Sequence, residues 1–251
     1  MLPSRIDACF VAGGRFHDVD YARLQVLGLL GEQPRIRTRV CQDYRDVASL
    51  LAADMLVTYT VDLVPDDATA RALEDWVGAG HRWLALHGTN SILEWSKPDR
   101  AWKAPRTAAS FMRLVGSQFL AHPPIAPYRV EVVKPAHPLV AGIAGFEADD
   151  ELYLCELHPP IEVLLSARWA GETPDFVDRD WTRDEPRPVM YLKRTGGGEV
   201  LYLTLGHARG HYDMQPLMAE YPRVERGSWK TPAFQELLRR SIAWAARIGE
   251  D

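Results

Sequence analysis

The sequence is poor in cysteine and has no excess of basic residues. Its three cysteines, Cys9, Cys41 and Cys155, lie far apart and form no CxxC pair, so reduced, buried thiols in a cytoplasmic protein are the simplest explanation. The formal net charge is -5 at pH 7, and there is no run rich in lysine and arginine. We therefore expect no binding to nucleic acid and favour a small neutral or polar ligand.

Long apolar runs are also missing. No stretch approaches the length of a membrane span, and residues 1–7 lack the apolar core of a signal peptide, so we expect no membrane association. A content of 47% hydrophobic and 25% charged residues is typical of a globular protein. Because no internal repeat or clear linker divides the chain, we predict a single domain over residues 1–251. A homo-oligomer remains an open option.

Strand and helix patterns alternate in the first ninety residues. Apolar or alternating runs predict strands at residues 6–12, 35–40, 54–60 and 82–86, with helical patterns between them. This alternation predicts an α/β fold with a mostly parallel central sheet covered on both sides. Further along we predict helices at 107–115 and 231–248, strands at 128–134, 151–154, 161–166, 189–193 and 199–205, and a mobile surface loop at 171–188.

The stretch over residues 82–90 is the first candidate for a functional site. An apolar strand pattern ends abruptly at His87-Gly88, which small polar residues up to Asn90 follow. In an open α/β sheet, ligands bind beyond the carboxyl ends of the strands. A polar side chain at such a turn therefore points towards the expected site, and His87 is the leading catalytic candidate.

Two more histidines occupy comparable positions. His17 lies in a glycine-containing turn after the first predicted strand, and His207 follows Gly206 after the 199–205 strand. If these strands are parallel neighbours, the rings of His17, His87 and His207 face one crevice. They could transfer protons, with Asp18 or Glu151 fixing a tautomer, or they could bind a divalent metal, or they could cap backbone groups around glycine turns.

The turn at His87 also has the shape of a nucleophile elbow, in which a serine or cysteine occupies the tip. Here the tip carries neither residue, and all three cysteines lie elsewhere. Covalent acyl transfer at this elbow is therefore disfavoured.

A set of short motifs runs along the chain from the first strand to the last helix: Gly13-Gly14-Arg15-Phe16-His17-Asp18, Leu86-His87-Gly88, Gly116-Ser117-Gln118-Phe119 with His122-Pro123, His137 to Ile143, Asp150-Glu151-Leu152-Tyr153, and Leu203-Thr204-Leu205-Gly206-His207. Taken together and in this order, the motifs resemble those of ThuA-like (trehalose utilisation) proteins. The resemblance implies a class I glutamine amidotransferase-like fold, which is a flavodoxin-like three-layer sandwich, without the amidotransferase cysteine.

The resemblance also implies a role in carbohydrate metabolism, in pathways that pass through 3-keto sugars. We expect a histidine-rich pocket that processes a disaccharide or a keto-sugar derivative and does not hydrolyse glutamine. The expected catalytic residues are His87 and His17, and the expected substrate-binding residues are Asp18, Asn90, His122, Glu151, His207 and Tyr212. Trp95 and Trp102, in a predicted loop from Trp95 to Pro105, could stack on sugar rings. The alternatives are a non-catalytic sugar-binding or regulatory module and a metal-dependent hydrolase of another substrate; the sequence leaves the cofactor open, with a divalent metal as an option.

Overall fold

The structure is a computed structural model that describes residues 4–250. Residues 1–3 and 251, which the predicted domain and the signal-peptide argument include, lie outside the described residues. The strands are β1 (Ile6–Gly14), β2 (Ile36–Cys41), β3 (Met55–Val61), β4 (Arg82–Leu86), β5 (Glu94–Ser96), β6 (Ala101–Lys103), β7 (Ser117–Ala121), β8 (Ala126–Val132), β9 (Phe146–Asp150), β10 (Leu154–Leu157), β11 (Glu162–Glu172), β12 (Asp180–Thr195) and β13 (Gly198–Leu203). The helices are α1 (Val19–Gly31), α2 (Val47–Leu51), α3 (Asp67–Gly78), α4 (Ala109–Val115) and α5 (Pro232–Ala245), with 3₁₀ turns at His87–Asn90 and Gly227–Lys230.

A large sheet forms the centre of the molecule, in the order β2-β1-β3-β4-β13-β12-β11-β8-β9. The strands from β2 to β13 pair in parallel, and those from β13 to β9 pair antiparallel. The α/β fold is confirmed, and the central sheet is mixed. The parallel half places the carboxyl ends of β1, β3, β4 and β13 along one edge, where ligands bind in such folds.

Helices cover both faces of the sheet, which gives three layers. Because side chains alternate along β1, Phe10 packs on one face with α1 and α5, whereas Cys9 packs on the other with α2, α3 and α4. Buried aliphatic and aromatic side chains fill both interfaces. The flavodoxin-like three-layer arrangement is therefore confirmed. Within residues 4–250, no helix is long and apolar enough to cross a membrane.

The predicted mobile loop at 171–188 is wrong. Its ends belong to a long β11–β12 hairpin, in which Ser166 pairs with Pro188 and Gly171 with Trp181. The prediction was based on composition, and the prolines in this segment are typical of loops rather than strands. They are tolerated because β13 pairs only with residues 190–195 of β12, so the proline-bearing half of β12 has a strand on one side only.

Two other segments also differ from the predictions. Residues 151–153 are not in a strand but join β9 to β10, which places Glu151 on the connection itself. The stretch after Trp95, expected to be a loop, begins in the short β5–β6 hairpin, where Trp95 pairs with Trp102. Strands of three residues are too short for a periodic signal in the sequence.

Candidate metal centre

Four buried side chains meet at the carboxyl edge of the parallel strands. His17 lies in the turn after β1, His87 directly follows β4, His207 follows β13, and Glu151 follows β9. Their exposed fractions are 7%, 0%, 0% and 3%. The structure thus brings the three histidines of the sequence analysis together, although β3 separates β1 from β4 in the sheet.

The backbone around this cluster is tightly constrained. His87 has a φ of +45°, a value that non-glycine residues rarely adopt, and it turns the chain sharply at the end of β4. The next residue must be glycine, because a Cβ on Gly88 would lie 2.5 Å from Val61 Cγ2 and 2.8 Å from Thr60 O. The elbow predicted from the sequence is therefore present, with an imidazole at its tip.

The ligand atoms of the cluster lie within 4.8 Å of one another. His17 Nε2 is 2.9 Å from His87 Nε2 and 3.0 Å from His207 Nδ1. Glu151 Oε2 lies 3.5, 3.4 and 3.6 Å from those three nitrogens, respectively. Ligands at about 2.0–2.1 Å from a tetrahedral ion are about 3.3 Å apart. Five of the six separations in the cluster lie between 2.9 and 3.6 Å, and the sixth, from His87 Nε2 to His207 Nδ1, is at most 4.8 Å.

Hydrogen bonds on the far side of two imidazoles fix their tautomers. His87 Nδ1 lies 2.8 Å from the carbonyl oxygen of Thr204, which can only accept, so Nδ1 carries the proton and Nε2 presents its lone pair to the centre. His207 Nε2 lies 2.8 Å from Glu225 Oε2, which leaves Nδ1 facing the centre. Carbonyl and carboxylate partners of this kind orient metal-binding histidines in proteins.

The charges around the centre also favour a cation. Burial alone would lower the pKa of His207, but Glu151 and Glu225 outweigh it and raise the pKa to about 9. Burial lowers the pKa of His17 well below its usual value, and among the described residues its Nδ1 has no hydrogen-bond partner. Burial would raise the pKa of Glu151, but His122 and His207 hold it well below its usual range. A carboxylate pair that stabilises a buried imidazolium would equally stabilise a divalent ion.

Asp150 holds two of the four side chains in place through their backbone. Its Oδ1 accepts hydrogen bonds from the amides of Glu151 and His207 at 2.8 and 3.0 Å, and its Oδ2 accepts from those of Gly206 and Ser228 at 3.0 and 2.9 Å. The side chain is 1% exposed. Asp150 is therefore a positioning residue for the cluster rather than an acid of the site.

A cavity of about 90 Å³ opens beside the cluster. His17 and Glu151 form part of its floor, with Arg209 and His122 next to them. His122 Nε2 lies 3.2 Å from Glu151 Oε1, and its Nδ1 lies 2.7 Å from the carbonyl oxygen of Pro123. The ring of His122 is thus held against the carboxylate while part of it faces the cavity.

The structure places three of the predicted substrate-binding residues away from this cavity. Asp18 caps the start of α1 by accepting from the Tyr21 amide, and it also pairs with Arg226 at 2.9 Å. Asn90 is buried and donates to Ser117 Oγ at 2.7 Å. Tyr212 is 66% exposed and does not line the cavity. Of the predicted set, the cavity or cluster therefore contains His17, His87, His122, Glu151 and His207.

Several residues of the site were missed by the sequence analysis. Arg209 Nη1 pairs with Glu225 Oε2 at 3.2 Å, and Tyr153 Oη lies 3.3 Å from His87 Nε2. Tyr153 belongs to the same motif as Glu151, two residues further on, and that motif is the signal that could have found it. Glu225 carries no sequence signal, because it belongs to an irregular segment between His207 and α5.

The cysteines take no part in this site. None of them lines the described cavity, and burial raises the pKa of Cys155 to about 12. The Cys155 thiol instead lies 3.6 Å from Asn90 Nδ2. The residues around His87 thus offer imidazole and carboxylate but no thiolate nucleophile.

Comparison with known families shows to which family the chain belongs. The ThuA family model, described as trehalose utilisation, matches residues 10–220. The chain belongs to the ThuA family. The match includes His17, His87, His122, Glu151 and His207 and ends before Glu225. No curated protein matches the chain in a sequence comparison.

Solved structures show the same fold at low sequence identity. A ThuA-like protein from Bacteroides uniformis is 16% identical with a TM-score of 0.64, covering 98% of this chain and 93% of its own. A second ThuA-like protein, from Parabacteroides merdae, is 15% identical with a TM-score of 0.61, covering 97% and 90%. A protein from Thermoplasma acidophilum described as a GMP synthase subunit is 12% identical with a TM-score of 0.51, covering 99% and 98%. The last likeness agrees with the glutamine amidotransferase-like fold.

Proposed function

We propose that this ThuA family protein is a cytoplasmic, metal-dependent enzyme of carbohydrate metabolism that acts on the 3-keto derivative of a glycoside such as a disaccharide. The observation that supports the proposal most is the convergence of His17 Nε2, His87 Nε2, His207 Nδ1 and Glu151 Oε2 within 4.8 Å in a buried setting. The family description, trehalose utilisation, supports a sugar substrate. Glutamine hydrolysis is not part of the proposal, because the elbow carries a histidine.

A divalent ion bound by these four residues would polarise the ketone oxygen of such a substrate. In a 3-keto glycoside the ketone makes the adjacent C2–H acidic. Loss of that proton lets a C1–C2 double bond form as the bond from C1 to the glycosidic oxygen breaks, and the departing oxygen takes up a proton to become an alcohol. The reaction therefore needs one group that accepts a proton and returns it.

His122 is the group that the geometry favours for this proton transfer. It lines the cavity, and its Nε2 is not among the four ligand atoms. Glu151 Oε1, at 3.2 Å, holds the ring in place. His17 and His87, the catalytic candidates of the sequence analysis, would then act as metal ligands.

The test combines metal analysis with turnover. We expect the purified protein to contain about one divalent ion per chain, to consume a chemically prepared 3-keto glycoside, and to lose this activity on treatment with a chelator. The matched controls are His122→Ala, which should keep the metal and lose activity, and His137→Ala, a histidine outside the site, which should keep both. Turnover by a metal-free protein would instead support proton transfer by the histidines alone. Metal binding without affinity for any keto sugar would contradict the carbohydrate role.

A further inference from the structure

The imidazole and charged side chains that line the cavity gather around one carboxylate. The polar floor of the cavity lies around Glu151, whose carboxylate is 3.5 Å from His17, 3.2 Å from His122 and 3.8 Å from Arg209. Most of the other lining side chains are apolar, being aromatic rings or aliphatic groups such as those of Val61 and Leu93. A ligand in this cavity therefore has one polar end and one apolar end.

Five rings line the cavity, and we call them the aromatic wall: Phe16, Trp102, Phe119, Tyr153 and Phe176. Phe119 packs against Tyr153 with ring centroids 4.6 Å apart and against Phe176 at 5.9 Å. Trp102 meets Phe16 edge to face at 5.8 Å. The inner end of the wall touches the metal centre, since Tyr153 Oη lies 3.3 Å from His87 Nε2.

The wall continues to the protein surface at Trp95. This side chain is 50% exposed and meets Trp102 edge to face at 5.3 Å. An exposed tryptophan at the end of an apolar cavity marks a binding surface more often than an isolated surface residue does. The row of rings thus extends from the ligand atoms to solvent.

Backbone hydrogen bonds hold the wall in place. Trp102 donates from its amide to the carbonyl oxygen of Asp175 at 2.8 Å and accepts from the amide of Val177 at 2.8 Å. These bonds connect the β5–β6 hairpin to the tip of the β11–β12 hairpin on either side of Phe176. The wall is therefore formed before a ligand binds, which limits the entropy lost on binding.

A glycoside consists of a sugar ring and a second group, which is joined to it through the glycosidic oxygen. The chemistry of the aromatic wall favours some second groups over others. The second ring of a disaccharide carries hydroxyl groups around its edge, and each must be hydrogen-bonded when it is buried. Three of the five rings, Phe16, Phe119 and Phe176, offer no hydrogen-bonding group, and the Tyr153 hydroxyl lies at the inner end of the wall, 3.3 Å from His87 Nε2. Trp102 Nε1 is the one remaining hydrogen-bonding group among these five side chains. Their rings, by contrast, match an aromatic group, which packs against them edge to face or in an offset stack.

We propose that the substrate of this site is a glycoside whose second group is aromatic, an aryl glycoside in its 3-keto form, rather than a disaccharide. This inference rests on the proposed function, because the sugar ring occupies the polar floor at the metal centre. The aryl group lies along the aromatic wall, with Trp102 as its main contact near the opening.

The experiment compares three probes on the metal-loaded protein: the 3-keto derivatives of phenyl glucoside, methyl glucoside and trehalose, with both anomers of the first two. We expect kcat/KM for the phenyl compound to exceed that for the other two by about tenfold or more. Equal rates, or a preference for 3-keto-trehalose, would overturn the aromatic assignment and leave the proposed function supported.

Two variants separate recognition from folding. Trp102→Ala should lower kcat/KM for the phenyl compound far more than for the methyl compound, through KM, while the metal content stays unchanged. Trp102→Phe, which keeps an aromatic ring, should restore most of the preference. An equal loss for both compounds would contradict the inference.

A final probe distinguishes failure of the inference from failure of the function. Phenol carries no sugar, and its binding can be followed by ligand-observed NMR. If phenol binds in a Trp102-dependent manner while no keto glycoside is consumed, the aromatic subsite is supported and the carbohydrate function is wrong. If neither phenol nor any keto glycoside binds, both are wrong.

Discussion

His207 donates a hydrogen bond from Nε2 to Glu225 Oε2 over 2.8 Å, with both side chains buried. This bond fixes which nitrogen of His207 faces His17, His87 and Glu151. Burial alone would raise the pKa of Glu225, but His207 and Arg209 lower it to about 2, so Glu225 is a carboxylate near neutral pH. The orientation of one proposed ligand therefore depends on a residue 18 positions further along the chain.

Replacement of Glu225 by glutamine should weaken metal binding without removing any ligand. The amide keeps the size of the side chain but loses the negative charge, and removal of such an outer partner typically lowers metal affinity by about 10–100-fold. Competition with a chromogenic chelator measures this change. Glu220→Gln, an exposed glutamate in the same segment, is the matched control and should bind metal normally. Unchanged affinity in Glu225→Gln would show that Glu225 does not tune the centre.

Metal affinity should fall as the pH falls. The pKa of His207 is about 9 in the metal-free protein, so below that pH this ring is protonated and a metal must displace a proton to bind Nδ1. One displaced proton makes the dissociation constant rise about tenfold for each pH unit between pH 8 and pH 6. Calorimetry in buffers of different ionisation enthalpy counts the protons released. Zero release at pH 7 would mean that His207 is not a ligand.

Replacement of His17 by alanine should remove metal binding while the metal-free protein stays folded. Its Nδ1 has no hydrogen-bond partner among residues 4–250, and its Nε2 faces the other ligand atoms of the centre. Loss of the ring therefore removes one metal ligand and few hydrogen bonds elsewhere. Elemental analysis and a thermal melt of the chelator-treated protein check both statements. His81→Ala, at a ring that stacks on Trp76 outside the site, is the control and should retain the metal. Full metal occupancy in His17→Ala would exclude His17 from the centre.

Much of the fold and half of the site could be predicted from local sequence patterns. Strand β4 ends where its apolar run ends, and a histidine beside a glycine at that point is visible in the sequence alone. The parallel pairing of β3, β4 and β13 then brings His87 and His207 together, which follows from the general geometry of α/β sheets.

The rest of the site depends on contacts that local patterns do not encode. Glu225 reaches His207 from an irregular segment, and Phe176 reaches the cavity from the connection between β11 and β12. Asp18 illustrates the opposite error. Its place beside His17 suggested a site role, whereas its carboxylate caps α1, a task that aspartate performs at many helix starts.

Replacement of Asp150 by asparagine should destabilise the protein strongly. Each oxygen of Asp150 accepts two backbone amides, so an amide NH₂ group would face two N–H donors in either orientation. Two amides would lose their acceptor in the core, a loss of about 3 kcal/mol in the free energy of unfolding. For a chain of this size that lowers the melting temperature by roughly 6–12 °C.

The neighbouring Asp149 supplies the matched control, because it lies on the same strand with its side chain exposed. Asp149→Asn should have the melting temperature of the unmodified protein. Asp150→Asn should in addition bind metal more weakly, because the backbone amides of Glu151 and His207 are among those that Asp150 holds. Denaturant unfolding and chelator competition on the two variants test both effects. A stable Asp150→Asn protein with normal metal affinity would show that this carboxylate neither supports the fold nor positions the centre.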